Sequence, residues 1–342
     1  MTKTVLLTGA SGYIAKHVAL RLLEDGFHVR GTVRNLARGE EVTKAVQPHL
    51  SDDADLANRL TYVTLDLTSD DGWDDAMVGV DVVMHTASPF PLAQPKNEDD
   101  LIRPAVDGAL RALRAAHKAG ISRVILTSST AAISGSALPA GDTAFDETNW
   151  TDPNDPDATA YVRSKTLAEQ AAWDFVRDEA PAMQLTVINP GFVLGAPLDA
   201  NYGTSISVIE RLLKGKDPML PAIGFATVDV QDVADMHVTA ITQPQSHGQR
   251  IMTVDRFMTF AEIAQAIKTA YPNRKVVTRV APNAVIKFLG LFDPAIKSIV
   301  PSLGRIDKID NARAMATLGR GMRQAHKAAV SSAAYLIENK SL

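Results

Sequence analysis

The stretch Thr4-Val5-Leu6-Leu7-Thr8-Gly9-Ala10-Ser11-Gly12-Tyr13-Ile14-Ala15 decides how this chain folds. A short apolar run rich in β-formers leads into two glycines, after which Ile14, Val18 and Leu22 recur at helical spacing. Glu24-Asp25-Gly26 places a glycine at the expected helix end, and His28 to Arg34 reads as a second strand, so the unit is βαβ. Gly9 lets the chain turn sharply off the strand. Gly12 lets backbone approach a pyrophosphate with no Cβ in the way, and the small Ala15 allows the helix to pack closely on the sheet. The helix start then offers free N–H groups and the positive end of its dipole to phosphate. The rival reading, a glycine-bearing turn with no ligand, is weakened by the presence of all three flanking elements.

Working outward, Leu60 to Asp66 and Val80 to His85 read as third and fourth strands, separated by a short polar helix around Asp70–Met77. Leu101 to Ala119 reads as a long helix, and Arg123 to Thr130 as a fifth strand with a hydroxyl-rich end. Residues 137–159, dense in Pro, Gly, Asp and Asn, form a long irregular loop of the kind that usually carries function. Tyr161 opens a helix reaching about Asp178, and Leu185 to Ile188 is a sixth strand ending at Asn189-Pro190-Gly191. Strands and helices alternating in this way predict an α/β fold with a Rossmann-type, doubly wound parallel sheet. After residue 191 the alternation weakens into short mixed elements. We therefore expect a dinucleotide-binding domain over 1–191, with the chain crossing back to it at about 225–254, and a smaller mixed α/β substrate domain formed mainly by 192–342. Ala312 to Ile337 reads as helix packed back on the body.

With 342 residues, 46% hydrophobic, the chain can bury a large core. A formal net charge of −4 gives no basic field for nucleic acid or anionic lipid. There is no cysteine, which excludes disulfides and thiolate chemistry. No apolar run approaches a membrane span and the N-terminus enters a strand directly, so we expect a cytoplasmic protein, monomeric or homodimeric, without nucleic-acid or membrane partners. His85, His117, His237 and His247 lack ligand spacing, and Asp229, Asp232 and Asp235 look like a strand-to-helix junction with Asp232 near the cap; no metal is expected.

Tyr161 and Lys165 stand at i,i+4 near a helix start, so both project from one face. A nearby ammonium stabilises phenolate and brings a tyrosine hydroxyl, normally near 10, towards useful proton exchange. The pair suits protonation of a carbonyl oxygen that receives hydride. Tyr271 and Lys275 share the spacing, but Pro272 breaks the helix between them. Ser128-Ser129-Thr130 and the glycine turn fall at the carboxyl ends of strands, where ligands bind in such sheets, although strand-end hydrogen bonding explains either serine alone.

The segments Thr8-Gly9-x-x-Gly12-x-x-Ala15, Thr32-Val33-Arg34, Asp66-Leu67, His85 to Phe90, Thr127-Ser128-Ser129, Tyr161-x-x-x-Lys165, Asn189-Pro190-Gly191 and Val228 to Ala234 together resemble the extended short-chain dehydrogenase/reductases over nearly the whole chain. Within that family they resemble the branch of dihydroflavonol reductases, cinnamoyl-CoA reductases and yeast-type aldehyde/ketone reductases. The resemblance implies an NADPH-dependent carbonyl reductase with Tyr161 as proton donor, Lys165 lowering its pKa and holding the nicotinamide ribose, and Ser129 binding the substrate carbonyl. It implies NADP contacts from Gly9, Ser11, Gly12, Tyr13 and Ile14 at the phosphate turn, Arg34 and Arg38 at the 2′-phosphate, and Asp66 and Leu67 at the adenine. Ala87, Ser88 and Ser128 would line the cofactor, Pro190, Phe192 and Val193 would meet the nicotinamide, and Phe90 would touch substrate. Ala105-Val106-Asp107-Gly108-Ala109 stands where many members have an asparagine, so no asparagine-anchored water relay is carried over. The rivals are an NAD-dependent nucleotide-sugar epimerase or dehydratase, against which Ile223-Gly224 replaces the usual arginine and acidic residue, and a non-catalytic NADP-sensing protein, against which both Tyr161 and Lys165 are kept.

Overall fold

A computed structural model describes residues 2–88 and 97–340. Its strands are β1 (Thr4–Thr8), β2 (His28–Val33), β3 (Leu60–Thr64), β4 (Val82–His85), β5 (Arg123–Thr127), β6 (Gln184–Pro190), β7 (Phe192–Leu194), β8 (Gly224–Asp229), β9 (Gln249–Thr253) and β10 (Arg256–Thr259). Seven form one sheet in the order β3-β2-β1-β4-β5-β6-β9, every pair parallel. The order reverses between β1 and β4, in register Leu6 with Val83, and that reversal opens a crevice at the strands' carboxyl ends.

Period-two alternation assigns the two faces. Val5, Leu7, Val82, Met84, Ile125 and Ile188 pack with Val18 and Leu22 of the helix Tyr13–Glu24 and with Met236 of the helix Val230–Thr242. Their neighbours Leu6, Val83, Val124 and Leu185 pack on the opposite side with Leu113 of the helix Asp99–Lys118 and Phe175 of the helix Ala160–Asp178. Both faces are covered, which is why these strands read as near-continuous apolar runs.

The smaller sheet has the order β10-β8-β7, with β7 parallel and β10 antiparallel to β8. It packs with the helices Thr204–Lys214, Phe260–Ala270 and Ala325–Lys340. Thr259 and Glu262 close a reciprocal capping box at the start of Phe260–Ala270. Several expected elements differ in detail. The run 312–337 is two helices, Ala312–Leu318 and Ala325–Lys340, because Gly319 adopts φ +67° between them. A short helix, Ala131–Ser134, follows the hydroxyl-rich end of β5. The cap of Val230–Thr242 is Asp229, which accepts from Gln231 N; Asp232 is instead buried and paired with Arg320 and Arg323.

Candidate active site

The phosphate turn is built by backbone. Gly9 has φ +67°, and a Cβ there would lie 2.9 Å from that of Ala87 at the end of β4, so any larger residue would part the two strand ends. Ala10 N donates to Thr32 O at 3.0 Å and Gly12 N to Gly9 O at 2.9 Å. Gly12 is the helix N-cap and no side chain caps the helix, which leaves its first N–H groups for an anion. Thr8 Oγ1 accepts from Ala87 N at 3.1 Å and meets His85 Nδ1 at 2.9 Å, tying β1 to β4 beneath the turn.

The side chain of Tyr13 turns away from this cradle: it is buried, and its hydroxyl donates to Gly195 O at 2.9 Å. Only its main chain can face a phosphate. Ile14 is half-buried against both cores. The structure also adds a strap that periodicity did not indicate. Lys16 is buried and ion-paired with Asp199, and its Nζ donates to Asn201 O at 2.9 Å. Asn201 Nδ2 in turn donates to Ser11 O at 3.0 Å. The one available signal was a lysine on the inward face of an amphipathic helix.

At the end of β2, Arg34 is exposed, and among the described residues it makes no hydrogen bond or ion pair. Arg38 pairs with Glu41 at 2.5 Å. The Asp66 carboxylate accepts from Thr68 N and Oγ1 at 2.8 and 2.7 Å, which holds its pKa below the ordinary range. Leu67, beside it, is half-buried against the cluster holding Leu113.

The Ser129 and Tyr161 hydroxyl groups come together. Thr159 Oγ1 accepts from Val162 N at 3.3 Å and so starts the helix that carries Tyr161 and Lys165. Arg163 pins this start to the preceding loop through the carbonyls of Pro153 and Asp155 at 3.0 and 3.1 Å. The Ser129 hydroxyl, at the end of β5, accepts from Ala131 N at 3.1 Å and is hydrogen-bonded to the Tyr161 hydroxyl. Burial raises the Tyr161 pKa, and Ser129 opposes that rise. Burial lowers Lys165 to about 8, against the attraction of Glu169. The anticipated lowering by Lys165 is not among the effects on Tyr161 in the protein alone, where desolvation dominates and Ser129 opposes it. His85, pushed down to about 3 by burial and then by the Lys165 charge, is a neutral wall of the site.

Ser128 N donates to Ile188 O at 2.7 Å while its buried Oγ has no partner among the described residues, as fits a group awaiting a ligand. Ala87 and Ser88 are half-buried at the end of β4; Phe90 lies outside the described residues. Pro190 O accepts from Thr130 N at 3.0 Å. A Cβ on Gly191 would lie 2.1 Å from Ala226 O, so only glycine lets β6 pass directly into β7. Val193 is buried, and Phe192 stacks on Phe225 with ring centroids 4.6 Å apart. Tyr271 ends its helix with φ −127°, so Lys275 does not share a helical face with it. Among the described residues no group of three or more His, Asp or Glu side chains is placed to hold a metal, and no helix is long and apolar enough to cross a membrane.

Residues 5–254 match the model of the NAD dependent epimerase/dehydratase family. The chain is 35% identical over 305 residues to the ketoreductase azaE of Aspergillus niger, covering 83% of this chain and 87% of that one. It is 34% identical over 283 residues to the cinnamoyl-CoA reductase CAD2 of Medicago truncatula, covering 82% and 84%. Among solved structures, Gre2 of Candida albicans in complex with NADPH superposes with a TM-score of 0.80 at 27% identity, covering 98% of this chain and 99% of that one.

Proposed function

Because this chain belongs to the NAD dependent epimerase/dehydratase family, as an extended short-chain dehydrogenase/reductase, we propose that it reduces an aldehyde or ketone to the alcohol with NADPH. The observation that carries this reading is the Ser129–Tyr161 hydrogen bond with Lys165 one turn further on, at the same strand ends as the glycine turn. The names of the relatives above favour reduction over sugar epimerisation, and the one solved relative named is complexed with NADPH. The residues present fit that cofactor: an uncapped helix start for pyrophosphate, an unpartnered Ser128 hydroxyl, and an exposed arginine where an NAD enzyme needs a carboxylate.

When bound, NADPH supplies the hydride. Ser129 hydrogen-bonds the substrate oxygen and orients the carbonyl. Tyr161 donates its hydroxyl proton to that oxygen as negative charge develops, and Lys165 stabilises the resulting phenolate. Gly9, Ser11, Gly12, Tyr13 and Ile14 would hold the pyrophosphate by main chain, Arg34 and Arg38 would hold the 2′-phosphate, and Pro190, Phe192 and Val193 would border the nicotinamide. Residues 1–191, joined again by the helix Val230–Thr242 and β9, serve the cofactor, and 192–342 mainly serve the substrate. NADPH oxidation is to be followed across aromatic and aliphatic aldehydes, keto esters and diketones. Turnover of one or more carbonyls is expected; none, together with conversion of a nucleotide sugar, would overturn the reading.

A further inference from the structure

One turn beyond Lys165 on the same helix, the Glu169 side chain is fully buried. A carboxylate in such a place has to be satisfied at both oxygens. Arg250 Nε, on β9, donates to Oε1 at 2.5 Å, and Asn189 Nδ2, at the end of β6, donates to Oε2 at 2.6 Å. The same Asn189 Nδ2 reaches the Ser129 carbonyl at 3.1 Å. The rest of the Arg250 guanidinium is equally committed. Nη1 donates to the carbonyls of Glu147 and Asn149 at 2.9 and 2.6 Å, Nη2 donates to Ala132 O at 3.2 Å, and the group lies 3.6 Å over the Trp150 ring. One ion pair therefore touches the catalytic helix, the strand end that bears Ser129, and the irregular loop that borders the site.

We propose that Glu169, held by Arg250, is a positioning residue for carbonyl reduction: it fixes Lys165 through one turn of helix and Ser129 through Asn189. The proposal rests on the reductase reading above. Charge supports the geometry. The Lys165 ammonium feels Glu169 from its own helix and the neutral His85 from β4, and Tyr161, hydrogen-bonded to Ser129, stands one turn before it on the helix. Among the described residues Glu169 is the negative charge that opposes the effect of burial on Lys165, and so favours the lysine ammonium. Arg250 in turn pairs with Glu169, while Glu147 accepts from Met252 N at 2.9 Å and faces Arg313 at 3.7 Å on the far side.

The test uses Glu169→Gln and, since a lone buried arginine can unfold the protein, the double variant Glu169→Gln/Arg250→Gln, which leaves no unpaired charge. The Cε shift of Lys165 is titrated in 13C-lysine-labelled protein, assigned with Lys165→Arg and read without cofactor or substrate. The midpoint of about 8 is expected to fall by about one unit, making ammonium about tenfold scarcer above it. In steady state, kcat is expected to fall about tenfold and its alkaline limb to move to lower pH, with the NADPH KM changed less than about twofold and Glu169→Asp recovering part of the loss. A folded charge-free variant whose lysine midpoint and kcat profile match the unmodified protein overturns the proposal. Failure of both charge-removing variants to fold also overturns it, assigning the pair to stability alone. If the unmodified protein reduces no carbonyl while the lysine midpoint still follows Glu169, the reductase reading fails and the electrostatic role of Glu169 stands.

Discussion

Three histidines make the folded state sensitive to acid. His17 and His237 are lowered by burial to about 4, and His85 to about 3, from an ordinary value of 6.5. His237 lies between Val233 O, 2.7 Å from Nδ1, and Thr127 Oγ1, 2.7 Å from Nε2; the bond to the Val233 carbonyl opposes the lowering, and burial outweighs it. The unfolded chain takes up protons below about pH 6.5, whereas the native state refuses them until about pH 4 to 3. Stability is therefore intact above that upper value and falls as pH drops through the window. Between pH 7 and 5 each imidazole costs about 2 kcal/mol, or about 6 kcal/mol for three, which is comparable with the whole stability of many domains. Glu147, Asp229 and Asp307, whose pKa values burial raises, act in the opposite sense and offset part of this at the acid end.

Urea unfolding at fixed temperature, repeated from pH 7.5 to 5, reads this directly. A loss of several kcal/mol is expected, and His237→Gln should reduce the slope by about a third because one titrating group has been removed. A change of less than about 1 kcal/mol over that span, or a slope unaltered in His237→Gln, would show that the imidazoles are not held neutral and refute the reasoning.

Tyr161→Phe should cost about two to four orders of magnitude in kcat while leaving NADPH affinity, followed by fluorescence, nearly unchanged. Tyr271→Phe should do nothing comparable, since its helix ends at that residue; equal losses in both would place the active site on the wrong helix. Arg34→Asp should reverse or abolish preference for NADPH, because a carboxylate repels the 2′-phosphate and accepts from a 2′-hydroxyl. Equal kcat/KM for NADH and NADPH in the unmodified protein would remove the arginine's assignment.

What could be read in the chain and what could not divide along sequence distance. The glycine turn and the Tyr161–Lys165 pair are local: a strand, a turn and a helix are each specified by neighbours, and i,i+4 geometry follows from the helix alone. The unbroken apolar run Val5-Leu6-Leu7 fits a strand buried on both faces, and its alternate residues enter the two cores. The strap and the positioning pair are not local. Lys16 meets Asp199 across 183 residues and Glu169 meets Arg250 across 81, and each residue taken alone looks like one more charge on a helix or strand. Asp232 stands near the cap, in the first turn, as its sequence suggests, but its arginine partners, 88 and 91 residues away, were not legible for the same reason. A buried charge is tolerable only where tertiary closure delivers its counterpart, so the residues that orient this site are those whose chemistry the sequence conceals. That asymmetry has a functional consequence here. Tyr161 and Lys165 are written in one helical turn, but the buried carboxylate one turn further on meets its arginine only through an edge strand that joins the sheet last in sequence, so that ion pair closes only when β9 docks beside β6.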